Sequence, residues 1–267
     1  MMESLLRAGL TGTAASFAWD LLAGSITLGL ARRARAVTTT GDRAGAVGTL
    51  AAVAFRGWPT AAIDFFDGLE EDNSKEYWQA HKAVYEESVR APMEALLAEL
   101  EPEFGEGRIF RPYRDVRFRA DKSPYKTEIA AHLGGGGYVK LSGAGLGAGN
   151  GLYMPAADQL ERFREAVDAE SSGGSLVELV ASARSAGIEV TAHETLKTAP
   201  RGFPKDHPRI ELLRMKGVVV WREWPVAPWL STAKAKARVV DLLRASAPLV
   251  AWLDEHVGAS TLEGGWR

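Results

Sequence analysis

Glu128-Ile-Ala-Ala-His-Leu-Gly-Gly-Gly-Gly-Tyr-Val-Lys-Leu-Ser-Gly-Ala-Gly-Leu-Gly-Ala-Gly-Asn-Gly-Leu-Tyr153 reads as antiparallel sheet. Short alternating runs, Ile129 to Leu133, Gly137 to Ser142 and Gly151 to Met154, are separated by glycine-rich turns, as hairpins require. Nine of the 18 residues from Gly134 to Gly151 are glycine, yet none falls in a G-x-G-x-x-G frame and no Walker lysine follows. Tight hairpins, or glycines that admit a neighbouring backbone, explain them better than a phosphate-cradling loop.

Helical periodicity lies on both sides of this run. Thr60 is the expected N-cap of a short helix carrying Ile63, Phe65, Phe66 and Leu69. A second helix starts near Ser74, with Trp78, Val84, Tyr85, Val89 and Met93 at three- or four-residue spacing and Pro92 marking a kink or junction. Further helices are expected over Ala157 to Ala169, Ser175 to Ala186, Ile210 to Met215, from a Ser231 cap, and for a turn or two after Pro248. Ile188 to Thr191 and Gly217 to Trp224 read as strands, and Val218-Val219-Val220-Trp221 reads as buried. The fold class is therefore α+β: residues 55–267 form a single compact domain with a mainly antiparallel sheet packed against several helices.

The 267 residues are 46% hydrophobic and 25% charged, an ordinary globular composition with a formal net charge of −2. No global basic field exists to drive non-specific binding to nucleic acid or membrane, so anion binding must be local. Without cysteine there is no disulfide partner, thiolate nucleophile or thiolate-bound zinc, and a cytoplasmic location is the default expectation. Residues 1–54 differ from the rest. Ala8 to Ala31 is apolar apart from Asp20 and is followed by Arg32, Arg33 and Arg35. A membrane anchor is one reading, opposed by Asp20 and by a basic cluster on the wrong side for an export signal. The favoured expectation is a disordered or untranslated stretch, with the start near Val47 or Val53, because valine codons initiate in bacteria.

The chemistry concentrates between Arg108 and Lys126, where seven basic residues face two aspartates, a net of +5 in 19 residues. Read as a strand, Phe110 to Ala120 sends Phe110, Pro112, Arg114, Val116 and Phe118 to one side. Arg111, Tyr113, Asp115, Arg117 and Arg119 take the other. Guanidinium groups so close repel unless anions or carboxylates compensate them, and the planar fork of Arg grips phosphate or carboxylate in two places. A solvated edge strand, its arginines paired with Glu99, Glu101 and Glu103, is the plain alternative. Arg114 on the apolar side argues against it, since a charge there must be paired or serve a site.

Arg-Asp-Val-Arg-Phe-Arg-Ala-Asp-Lys-Ser-Pro-Tyr-Lys-Thr, Arg114 to Thr127, resembles the signature of a conserved hypothetical family, domain of unknown function family 2461. The family's Asn-x-x-x-Trp-Phe opening resembles Asn73 through Tyr77-Trp78 to Tyr85, and its Gly-Tyr-Tyr strand resembles Gly137-Tyr138-Val139. Pro200-Arg201-Gly202-Phe203, His207-Pro208 and Leu212-Leu213-Arg214 also match, so the likeness spans about Trp58 to Val257. Tyr77-Trp78 replaces the usual Trp-Phe pair, and the first 54 residues have no counterpart. The resemblance implies a compact α+β domain and makes Arg114, Asp115, Arg117, Asp121, Lys122, Tyr125, Lys126 and Arg201 the site positions. It names no substrate, cofactor or activity.

The leading expectation is recognition of an anionic ligand, a phosphate or carboxylate compound or a nucleic acid strand. Arg114, Arg117, Lys122, Lys126 and Arg201 would hold it, and Tyr113, Tyr125 and Tyr138 would stack. The second is a metal-dependent phosphodiester hydrolase with Asp115, Asp121 and Glu128 around a divalent cation and Lys126 beside the developing charge. A third is a structural or protein-interaction domain, for which Trp221, Trp224 and Trp229 near Pro225 and Pro228 speak. The five histidines lack metal-ligand spacing, and no G-x-S-x-G elbow occurs.

Overall fold

A computed structural model describes residues 54–117 and 121–262. All of the N-terminal extension but Ala54, together with Phe118, Arg119 and Ala120 of the basic segment, lies outside the described residues.

The strands are β1 (Gly107–Ile109), β2 (Glu128–Leu133), β3 (Tyr138–Ser142), β4 (Gly145–Leu152), β5 (Glu189–Thr191) and β6 (Val218–Pro225). They form one sheet in the order β1-β2-β3-β4-β6-β5, every neighbouring pair antiparallel. The α+β class expected from the sequence is the class observed. The glycine run makes the β2–β3 hairpin, where Leu133 N–H donates to Gly137 O at 2.7 Å. Alternation along the strands sends Ile129, Ala131, Val139, Leu141, Leu146 and Val220 into one core beneath the helices.

That helical layer comprises α1 (Thr60–Glu71), α2 (Lys75–Val84), α3 (Ala91–Phe104), α4 (Ala157–Asp168), α5 (Glu170–Ser185), α6 (Ile210–Arg214) and α7 (Lys234–His256). Helix α2 starts where expected, with Ser74 as its cap, the hydroxyl accepting from Tyr77 N–H at 3.1 Å. The junction at Pro92 is a π-helical turn, Tyr85–Arg90, in which Ala91 N–H reaches back to Glu86 O before Pro92 enters α3 at its first turn. Trp58 is fully buried and donates its indole N–H to Val89 O within that turn.

Several local expectations are corrected. Thr60 is the first helical residue behind Pro59 rather than a cap. Helix α5 begins at Glu170 instead of Ser175, because Gly173 lets it pass tightly against Val167 O at the end of α4. Ser231 belongs to a short 3-10 turn, and α7 starts at Lys234 and continues through Pro248. Glu99 and Glu103 do not compensate the basic segment. Glu99 accepts from Phe55 N–H and pairs with Lys236, and Glu103 takes Arg244 through two bonds of 2.7 and 2.8 Å, so both tie α3 to neighbouring parts of the helical layer.

The largest correction concerns the basic segment itself, which is not a strand beyond Ile109. Arg114 N–H donates to Pro124 O and Lys126 N–H to Pro112 O, each at 2.8 Å, leaving one isolated bridge, Tyr113 to Tyr125. A continued ladder needs the reciprocal donors at positions 112 and 124, and both are proline. The segment is therefore a narrow ribbon. No helix among the described residues is long and apolar enough to cross a membrane.

Candidate functional site

The ribbon has two sides. On the helical side the Tyr125 ring stacks on Trp78 with centroids 4.4 Å apart and planes 6° apart, and Tyr85 lies 4.8 Å behind Trp78. Asn73, just before α2, donates its amide to Tyr125 O at 3.1 Å and accepts Tyr125 N–H at 2.9 Å. Tyr125 is 5% exposed. It anchors the ribbon to the helical layer.

Backbone alternation sends the next residue the opposite way, and the Lys126 ammonium lies 5.4 Å from the centre of the Phe110 ring. Lys126 is the one Lys, Arg, Asp or Glu among the described residues that is buried. Phe110 packs on a small second core formed by Ala130, Tyr138 and Trp221, on the sheet face turned away from the helices. Glycine makes that second core. On β4 the alternate residues Gly147 and Gly149 carry no Cβ, and the Trp221 ring occupies the space. A methyl at Gly149 would stand 2.5 Å from Trp221 Cε3, and one at Gly147 2.6 Å from Cζ2.

Ionisable groups border the second core. Lys140 Nζ pairs with Glu223 at 2.9 Å and Glu128 at 3.6 Å and lies 5.5 Å above Trp221. The Tyr138 hydroxyl donates to Glu128 at 3.4 Å, and the Tyr153 hydroxyl meets His193 Nδ1 at 2.9 Å. Burial, then the charge of Glu128 and its hydrogen bond, hold the Tyr138 phenol well above its ordinary range. Burial, then Glu128, push Tyr153 up to about 12. Both phenols thus stay un-ionised beyond the pH at which an ordinary tyrosine ionises. Burial, then the charge of Arg108, lower the pKa of His132.

At the ribbon's tip each carboxylate already has a cation. Asp115 accepts from Arg117 Nε at 2.9 Å and Nη2 at 2.6 Å, and the Arg117 hydrogen bonds lower its carboxyl to about 2. Asp121 accepts from Ser123 through its backbone and hydroxyl and from Arg114 at 2.8 Å, and these bonds, led by the Ser123 hydroxyl, lower its carboxyl too. Arg114 is largely covered, its side chain 17% exposed. Lys122 reaches back to Val116 O at 2.8 Å, closing the turn.

Arg114, Asp115, Arg117, Asp121, Lys122 and Lys126 are thus gathered in one ribbon. Arg201 is exposed in the connection between β5 and α6. Asp115, Asp121 and Glu128 do not converge. No metal-holding group of three such side chains occurs among the described residues, and Glu128 faces Tyr138 and Lys140 instead. The gathering of Lys140, Tyr153, His193 and Glu223 around the second core is not legible in the sequence. The signal was the alternate glycines of β4, which bare one sheet face and so mark where large and polar side chains gather.

The matching motifs meet in space here, since Asn73, Trp78 and Tyr85 hold Tyr125 while Tyr138 lies beneath Phe110. His207 serves elsewhere, pairing with Asp168 at 3.1 Å, and Arg209 donates to Val167 O and Asp168 O at the end of α4. No curated protein and no solved structure matches the chain. The family model described as "Conserved hypothetical protein (DUF2461)" matches residues 61–252, more than two thirds of the chain, and the chain belongs to that family.

Proposed function

We propose that the protein recognises an anionic small molecule, a phosphate- or carboxylate-bearing compound, on the Arg108 to Lys126 ribbon. One observation carries the reading. Both aspartates of the segment are already engaged, Asp115 by Arg117 and Asp121 by Arg114. Among the described residues no carboxylate forms a salt bridge with Arg108, Arg111 or Lys122, all three exposed. A cationic surplus on this segment attracts an anion.

Isothermal calorimetry with ribose 5-phosphate tests this on the wild-type chain and on Arg111→Glu/Lys122→Glu. Binding by the wild type, abolished in the double reversal at an unchanged melting temperature, is the expected result. A silent wild type, or a double reversal that unfolds the chain, refutes it.

A further inference from the structure

Resting on that anion site, we propose that its ligand carries a planar ring beside the anionic group, making it a nucleoside phosphate, with Tyr113 as the stacking face. Three tyrosines accompany the cations, and the structure distinguishes them. Tyr125 spends a face on Trp78 and is 5% exposed, and Tyr138 is buried at 9%, whereas Tyr113 is 50% exposed. The Tyr113 ring is also braced. Its backbone bridges Tyr125, and its ring lies 5.4 Å from Tyr125 and 6.2 Å from Trp78, tilted at 44° and 49°.

A half-exposed ring supported from behind loses little freedom when a base lies on it. Charge stands beside it. Arg111 and Asp115 lie two positions either side of Tyr113, and Arg111 acts electrostatically on Asp115. The Asp115 charge is already met by Arg117. Arg111 is left to meet a phosphate within reach of a stacked base.

The full chain is titrated calorimetrically with inorganic phosphate, ribose 5-phosphate, AMP and a ten-nucleotide single strand. AMP should bind at least about tenfold more tightly than ribose 5-phosphate, the range expected of one base–aromatic stack. Tyr113→Ala should bring AMP down to the ribose 5-phosphate level and leave ribose 5-phosphate unchanged, while Tyr113→Phe keeps the advantage. Equal binding of AMP and ribose 5-phosphate, or an advantage that survives Tyr113→Ala, overturns the nucleoside assignment but not the anion site. Binding of neither overturns both. A single strand that binds far more tightly than AMP reassigns the platform to nucleic acid and overturns the mononucleotide class.

Discussion

Asn73 holds Tyr125 by both backbone groups, across 52 residues of chain, with bonds of 2.9 and 3.1 Å. An asparagine side chain is the right shape for this, because one planar amide offers an acceptor and a donor to a single extended residue. Asn73→Ala should therefore cost about 1–3 kcal/mol, since it leaves a part-buried N–H and C=O without partners. Asn73→Asp, which keeps the acceptor and loses the donor, should fall between. Urea denaturation checks both.

The Trp78–Tyr125 stack should show its own coupling. In a double-mutant cycle with Trp78→Leu and Tyr125→Leu, the interaction is expected at about 0.5–1.5 kcal/mol beyond the area lost. Additivity of the two single changes would mean that the rings contribute burial alone.

Gly149 and Gly174 should respond to alanine with opposite signs. A methyl at Gly149 meets Trp221 Cε3 at 2.5 Å and Val220 O at 2.6 Å, so Gly149→Ala should destabilise by roughly 1–3 kcal/mol. At Gly174, inside α5, a methyl meets nothing within 4 Å, and Gly174→Ala should stabilise by about 0.5–1 kcal/mol. Melting temperatures of the two variants check the pair.

Two pH effects follow from the displaced groups. Asp115 has its carboxyl lowered to about 2 from 3.8, so its contribution is complete above pH 4 and is lost as pH falls through 2. Carbon-detected NMR should find that midpoint, and Arg117→Ala should return it toward the ordinary value. Tyr153 is raised to about 12, so its contribution is complete below pH 10 and is lost as pH rises through 12. Ultraviolet titration should find Tyr153 un-ionised at pH 10.5, where free tyrosine is mostly ionised.

Much of this was legible in the sequence. Period, glycine punctuation and the apolar run at Val218–Trp221 were enough to read an antiparallel sheet under helices, because each records which face is buried. The ribbon was misread as a strand because alternation of side chains looks the same with or without a partner. Only the paired prolines, Pro112 opposite Lys126 and Pro124 opposite Arg114, carry the news that the ladder stops. The anchoring of Tyr125 is hidden for a related reason, since its stacking partner Trp78 lies 47 positions away and no local pattern announces it. Lys140 and Tyr153 became visible only when the bare glycine face of β4 brought Trp221 across the sheet.

Amide chemical-shift mapping tests the anion site most directly. On titration of the labelled chain with ribose 5-phosphate, saturable shifts should concentrate between Arg108 and Lys126. Shifts centred on the β5–α6 connection, or none at millimolar ligand, would contradict it.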